Sequence, residues 1–324
     1  MPRQARLDFP GTLHHVIVRG IEKKNIVSDD RDRKSFVSHL GKVASETGTV
    51  IYAWTLMTNH AHILLRSGRD GLSQFMRRLL TGYAVTYNLK HNRHGYLFQN
   101  RYKSIVCDED AYLLELIRYI HLNPIRAGVI KSMADLDRYQ YCGHSVLMGR
   151  VKHDWQDRDY ILRQFGNKEG EAKRGYREFV EAGIKEGRRP DLVGGGLVRS
   201  QGGWSQVVTL RRKGMREMYD ERILGSGKFV ERILDEAEER VKQQFRAFQS
   251  RKNIEGIIRA TCIEEGINQV ELQGGSRRGR IPAIRIKIAN KLVKEYGIIM
   301  AEAARYLGVS TSALSKAMKQ CKST

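Results

Sequence analysis

Between residues 12 and 127 the apolar side chains change period in an order that leaves few folds open. Residues 12–19 (TLHHVIVR) are β-branched and alternating, and Gly20 follows, so a strand is expected there. After Asp29-Asp30, which can cap a helix, Phe36, Leu40 and Val43 recur at helical spacing over residues 31–47, and Gly48 stops them. Residues 50–57 and 61–66 are apolar strands on either side of a Thr58-Asn59 turn. A long basic helix is expected from Gly71 to about Asn92, with Leu72, Phe75, Leu79, Tyr83 and Tyr87 roughly at helical spacing. Residues 102–107 read as a short strand. Residues 110–127 read as a helix that Pro124 must kink or shorten. The order β-α-β-β-α-β, then α, is that of a ferredoxin-like split βαβ sheet with an added helix, an α+β fold.

This first domain is expected to span residues 1–150. Residues 151–250 read as a helical connecting region, with charged helical patterns at 175–186 and 228–248 around the glycine-rich Gly194-Gly195-Gly196 and Gly202-Gly203. From 251 to 324 the pattern is helical again. Helices are expected at 254–265 and 284–296, on either side of the basic loop Ser276-Arg277-Arg278-Gly279-Arg280. Two more, at 300–307 and 311–319, flank Gly308-Val309-Ser310, and Ala303, Leu307, Val309 and Leu314 would pack them together. That is a helix-turn-helix signature, in which the second helix enters the major groove of duplex DNA.

Charge points the same way. A formal net charge of +21 on 324 residues implies a polyanionic partner, while 41% hydrophobic residues imply a globular chain rather than a disordered one. Charge alone does not separate DNA from RNA. The four cysteines (Cys107, Cys142, Cys262, Cys321) form no CxxC pair and no zinc-finger spacing, so free thiols in a reducing compartment are expected. The opening MPRQARLDFPG has no apolar signal core, and no run approaches transmembrane length. A cytoplasmic, nucleoid-associated protein without a membrane partner is the expectation.

The chemistry-bearing residues are His60 and His62, with Tyr119 and Asn123. His60-Ala61-His62 puts two imidazoles on one face of a strand, because strand side chains alternate. Tyr119 and Asn123 are four apart and share one face of a helix. Alone, each pair has a plainer explanation: histidines in strands more often pack or hydrogen-bond, and a helix tyrosine more often fills a core. The other histidines are weaker candidates. His14 and His15 face opposite sides of their strand, and His121 points away from the Tyr119–Asn123 face. Arg77, Arg78, Lys90, Arg93, Arg101, Lys103 and Arg126 are interleaved with Tyr83, Tyr87, Tyr96 and Tyr102, a combination that can neutralise a strand and stack its bases. The plainer alternative is a solvated helix face over core aromatics.

Five ordered segments change that balance. They are His15-Val16-Ile17-Val18-Arg19-Gly20, Asp29-Asp30-Arg31-Asp32-Arg33 with Phe36, and Trp54-Thr55-Leu56-Met57-Thr58-Asn59-His60-Ala61-His62. Phe98-Gln99-Asn100-Arg101-Tyr102-Lys103-Ser104 and Tyr119-Ile120-His121-Leu122-Asn123-Pro124-Ile125-Arg126-Ala127-Gly128 follow. Together they resemble the single-tyrosine transposase superfamily, in its REP-associated branch, over about residues 5–150. The resemblance implies a ferredoxin-like fold, a metal pair at His60 and His62, a nucleophile at Tyr119 and a third ligand at Asn123. It also implies cleavage of single-stranded DNA, often at a hairpin foot, through a 5′-phosphotyrosine. Mg2+ or Mn2+ is the implied cofactor, held loosely because asparagine brings no charge. DNA contacts are expected from Arg19, Arg77, Arg78, Arg101, Lys103 and Arg126.

Residues from about 252 onward are similar to the DNA-binding domain of the bacterial replication initiator DnaA. The features are Arg277, Arg278 and Arg280, the Arg285-Ile286-Lys287-Ile288-Ala289 helix, and Ala301-Glu302-Ala303-Ala304-Arg305-Tyr306-Leu307-Gly308-Val309. Ser310-Thr311-Ser312-Ala313 replaces the initiator's Asp-His-Ser-Thr signature, so its sequence preference does not carry over. Ser310, Thr311, Ser312, Ser315, Lys316 and Lys319 are expected at the duplex. Two competing functions stay open: a catalytically idle regulator that recognises repeated or hairpin DNA, and an RNA-binding protein.

Overall fold

The computed structural model describes residues 6–99, 102–187, 189–193, 218–251, 254–296 and 298–320. By contacts the chain forms two compact units, Met1–Ile233 and Leu234–Thr324.

The first unit is built on strands β1 (Leu13–Arg19), β2 (Val50–Leu56), β3 (His60–Arg66) and β4 (Lys103–Cys107), interleaved with helices α1 (Asp30–Thr47) and α2 (Gly71–Lys90). Helix α3 (Glu109–His121) follows β4. This is the expected α+β order. The sheet runs β2-β3-β1-β4-β5, with β1 antiparallel to both β3 and β4. Strand β5 (Ile223–Leu224), parallel to β4, was not foreseen: two residues are too short to show a period.

Local chemistry explains the boundaries. Asp29 caps α1 in a reciprocal capping box with Asp32, and Gly48 ends it at φ 62°, a left-handed backbone that suits glycine. Strand alternation then splits the core in two. Val16, Val18, Ile63 and Leu65 face α1 and α2, where Phe36, Leu40, Phe75 and Leu79 complete one apolar layer. Leu13, Leu64, Ile105 and Cys107 face the other way, onto Leu113, Leu116, Ile117 and Ile120 of α3.

The second layer continues past residue 150. Ile161, Leu162, Ala172, Tyr176, Val180 and Leu192 are buried in it, together with Met133, Leu136 and Leu147. They come from α5 (Met133–Leu136), α6 (His144–Leu147), α7 (Arg158–Leu162), α8 (Glu169–Ala182) and a 3-10 turn at Pro190–Val193. The short α4 (Asn123–Arg126) precedes them. Of the two helical patterns expected in this stretch, α8 covers much of the first and the helix Gly227–Arg251 covers the second. The glycine-rich Gly194-Gly195-Gly196 and Gly202-Gly203 lie outside the described residues.

In the second unit, helices Ile254–Glu264, Gln269–Gln273, Ile281–Asn290, Met300–Tyr306 and Thr311–Gln320 enclose Ile258, Leu272, Ile288, Leu292, Ala303, Leu307 and Leu314. Gly308, between the last two, has φ +66°, and a Cβ there would collide with the Gln273 backbone carbonyl. Both conditions require glycine. Arg285 is buried and donates to the carbonyls of Leu272 (2.6 Å) and Ser276 (3.0 Å), which ties the start of the basic loop to the core. Cys107, Cys142 and Cys262 are buried free thiols, and Cys321 lies outside the described residues. Among the described residues no helix is long and apolar enough to cross a membrane.

Candidate active site

The sheet face that meets α3 carries the polar residues as well as the apolar ones. In the β1–β3 ladder Ile17 pairs with His62 and Arg19 with His60, so His15, two residues along, shares a face with both histidines. The rings of His15 and His62 stack at 5.2 Å, and their Nε2 and Nδ1 atoms are 3.0 Å apart. His60 and His62 lie edge to face at 5.2 Å. The Tyr119 ring reaches down from α3 to 5.7 Å from His62 and 6.0 Å from His15.

His14 and His15 do face opposite sides of β1, as expected. The side His15 takes is the one that holds His62, and only strand pairing could reveal it. His15 is therefore a site residue that sequence reasoning passed over. Its sequence signal was its odd-numbered position on β1, which is informative only once the β1–β3 register is known.

Burial keeps these rings neutral. Burial lowers the His60 pKa to about 4, with help from the nearby Arg19 charge, and lowers His15 likewise to about 4. His62 is held well below the ordinary histidine range by burial and by its neighbours His15, His60 and Arg19. Neutral imidazole is the form that can ligate a metal. Asn59 donates its amide to the Lys23 carbonyl, so its Oδ1 faces His60 and accepts from Nδ1 at 2.7 Å. The lone pair of His60 then sits on Nε2.

Proline shapes the other half of the site. The helix expected over residues 110–127 is broken at Leu122, with α3 ending at His121 and α4 starting at Asn123. Pro124 has no N–H for the Ile120 carbonyl. Asn123 compensates: its Nδ2 donates to the carbonyls of Tyr119 (2.9 Å) and Ile120 (3.4 Å). That fixes the amide orientation, with Nδ2 on the helix carbonyls and Asn123 as a whole half-buried. An imidazole nitrogen and an amide oxygen are each of a chemical type that a divalent ion accepts. Among the described residues no three His, Cys, Asp or Glu side chains form a metal-holding cluster.

On its opposite side α3 is anchored by a second histidine cluster. Tyr176 Oη lies 2.7 Å from Nδ1 of His121 and 2.7 Å from Nδ1 of His144, and His144 Nε2 is 2.9 Å from Asp137. Arg177 donates to Asp137 in turn, at 3.0 Å. His121 does point away from Tyr119, as expected.

Within the first unit, the described candidate DNA contacts lie on both faces of the sheet. Arg19 is exposed beside His60, and Lys103, paired with Ile17 in the sheet, donates to the Val193 carbonyl at 2.6 Å. The Arg126 guanidinium lies 5.6 Å from the centre of the Tyr119 ring and donates to the Gly183 carbonyl at 3.1 Å. Arg77 and Arg78 sit on α2, which packs on the other face of the sheet, and Arg78 is paired with Glu46. Lys90 is engaged by Asp29 and Asp32. Tyr83 and Tyr87 are 1% and 4% exposed, so they belong to the core and cannot stack on bases. Tyr96 is exposed, whereas Tyr102 is half-buried under the Arg6 guanidinium. Arg101 lies outside the described residues. In the second unit Arg277, Arg278, Arg280, Thr311, Ser312 and Lys316 are exposed, as is Ser310, whose Oγ accepts from the Ala313 N–H at 3.1 Å. Ser315 is half-buried, and the Lys319 side chain lies outside those described.

Residues 10–123 match the family described as "Transposase IS200 like". A solved structure described as "Structure of the REP associates tyrosine transposase bound to a REP hairpin" is similar to 48% of this chain and 91% of its own, at 18% identity and a TM-score of 0.39. No curated protein matches the chain. The part of the chain similar to the IS200-like transposase family, residues 10–123, is the part that carries His60, His62, Tyr119 and Asn123.

Proposed function

We propose that this transposase domain is a metal-dependent, tyrosine-type endonuclease and strand transferase for single-stranded or hairpin DNA. The observation that carries the reading is the convergence of Tyr119, His60 and His62 on one sheet face, with Asn123 one helical turn beyond the tyrosine. Nε2 of His60, a ring nitrogen of His62 and Oδ1 of Asn123 would hold Mg2+ or Mn2+. Such an ion, when bound, polarises the scissile phosphate.

The rest of the chemistry belongs to the chain. Tyr119 Oη attacks phosphorus and displaces the 3′ oxygen of the upstream nucleotide. The phenol loses a proton, the leaving oxygen gains one, and the products are a 5′-phosphotyrosine and a 3′-hydroxyl. Arg126, beside the phenol ring, favours the negative charge that develops on its oxygen. The covalent link conserves the phosphodiester energy for rejoining to a second 3′-hydroxyl. Arg19 and Lys103 border the site and are assigned to the strand backbone.

The second unit is assigned to duplex DNA. Arg277, Arg278 and Arg280 would meet phosphates, and Ser310, Thr311, Ser312 and Lys316, at the start of the last helix, would meet the groove. The functional division is cleavage in the first unit, whose core takes in residues 161–192, and duplex anchoring in the second.

The test is a covalent adduct. Hairpin-bearing single-stranded DNA with Mg2+ should give an SDS-resistant complex, and Tyr119→Phe should abolish it while leaving DNA binding intact. An adduct that survives Tyr119→Phe overturns the assignment. Binding without any adduct in the parent protein identifies an idle regulator instead, and stronger binding to RNA hairpins than to DNA hairpins at equal salt identifies an RNA-binding protein.

A further inference from the structure

We propose that His15 is a positioning residue that sets the tautomer of His62, through a hydrogen-bond chain beginning at the Leu192 backbone carbonyl. The inference rests on the metal-site reading above and adds a function for a residue and a main-chain group which that reading leaves unused.

The argument is a proton count. His15 is fully buried, and its Nδ1 lies 3.2 Å from the carbonyl oxygen of Leu192, 177 residues away in sequence. A carbonyl oxygen only accepts, so Nδ1 of His15 carries the hydrogen. The ring is fully buried, and its two hydrogen-bond partners among the described residues are a carbonyl and a second imidazole, neither of them a carboxylate, so it is neutral and its Nε2 bears a lone pair. That lone pair faces Nδ1 of His62 at 3.0 Å. For a hydrogen bond to form, Nδ1 of His62 must donate. The remaining nitrogen of His62, Nε2, is then left unprotonated.

His60 reaches the same state by a different route, through the Asn59 side chain. Both imidazoles therefore offer Nε2 lone pairs before any ion arrives. Had His15 been charged, both its nitrogens would donate, His62 Nδ1 would accept, and Nε2 of His62 would carry a hydrogen. The ligand would be blocked. Burial of His15 prevents this, the Leu192 carbonyl places its one hydrogen on Nδ1, and the neighbouring Val193 carbonyl, which accepts from Lys103, fastens the same 3-10 turn to the sheet edge. Partners of this kind behind a metal-binding histidine orient the ring and select the nitrogen that binds.

The experiment begins on the metal-free full chain, with 15N–1H correlation of the histidine side chains. His62 should appear as the neutral Nδ1–H tautomer, and a neutral Nε2–H tautomer or a charged ring overturns the proposal. His15→Leu removes the acceptor and should shift His62 toward a mixture of tautomers. His15→Gln places an oxygen near the Nε2 position and should restore Nδ1–H. Mn2+ titration followed by electron paramagnetic resonance should show about 10- to 100-fold weaker binding for His15→Leu and a smaller loss for His15→Gln. Unchanged tautomer and affinity in His15→Leu overturn the role of His15. If His15→Leu does not fold, the parent spectrum and His15→Gln still decide. A parent protein that shows the Nδ1–H tautomer but binds no Mn2+ separates the two claims, because the metal site then fails while the relay stands.

Discussion

Two clusters of buried histidines lie on either side of helix α3, and they differ in where their hydrogen-bond chains end. Behind the helix, His144 donates from Nε2 to Asp137, so its Nδ1 must accept from Tyr176, whose oxygen in turn accepts from His121 Nδ1–H. That chain ends on a carboxylate, which His144 and Arg177 hold below the usual aspartate range despite its burial. In front of the helix, the chain runs from the Leu192 carbonyl through His15 to Nδ1 of His62 and meets no carboxylate on the way. The same residue type in the same burial is thus a strut where a Tyr and an Asp close the chain, and the proposed ligand where the chain stays open.

The largest effect that could break this contrast is His62→Ala against His144→Ala. His62→Ala should lower adduct formation by about 10³-fold, since metal polarisation contributes several kcal/mol, and cost about 1 kcal/mol in unfolding, where His15 loses its donor. His144→Ala should do the reverse. It strips a buried partner from Asp137 and Tyr176 and should cost about 3 kcal/mol in denaturant unfolding. If His144→Ala instead weakens Mn2+ binding as strongly as His62→Ala, the two clusters are one system and the contrast fails.

Tyr176→Phe is a gentler version. The phenyl ring still fills the core, but His121 Nδ1–H and the His144 lone pair lose their partner, for a cost of about 2 kcal/mol. Mn2+ affinity should stay within about twofold, because the chain it breaks does not reach the metal ligands.

Acid should affect both clusters. The folded-state pKa of His15 and His60 is about 4, against 6.5 for the free side chain, and burial also lowers those of His121 and His144. Between pH 6.5 and 4 the unfolded chain binds protons that the folded chain refuses, so stability falls as pH falls through that window. The slope should be about 1.4 kcal/mol per pH unit for each such histidine, measured as urea midpoints against pH. Bound Mn2+ should steepen the fall, because the protons compete with the metal for His60 and His62. The smallest effect is expected for Arg19→Ala, which should weaken binding evenly across strand sequences and reduce the salt slope by about one.

Much of this was readable in advance for a definite reason. Strand and helix periods reported β1 to α3 because each element is long enough to show two or more repeats, and His60 and His62 could be paired because two residues on one strand share a face. The five ordered segments pointed to Tyr119 and Asn123. His15 could not be paired with them, since its relation to His62 is a cross-strand diagonal that exists only in the folded ladder. Tyr83 and Tyr87 were misjudged as base-stacking candidates for a similar cause: helical spacing gives a face, and packing decides what covers it. Arg77 and Arg78 share a basic stretch with Lys103 in sequence, yet α2 carries them to the opposite side of the sheet.

What the sequence determined alone was therefore local and periodic: which segments are strands or helices, that His60 and His62 face one way, and that a proline follows Asn123. The tertiary structure decided which chemistry meets. It joined His15 to His62, brought the Leu192 carbonyl across 177 residues to hold His15, and set Asp137, His144 and Tyr176 behind α3 rather than in the site. The physical reason is that a neutral imidazole has one donor and one acceptor, and only its folded neighbours determine which nitrogen is which.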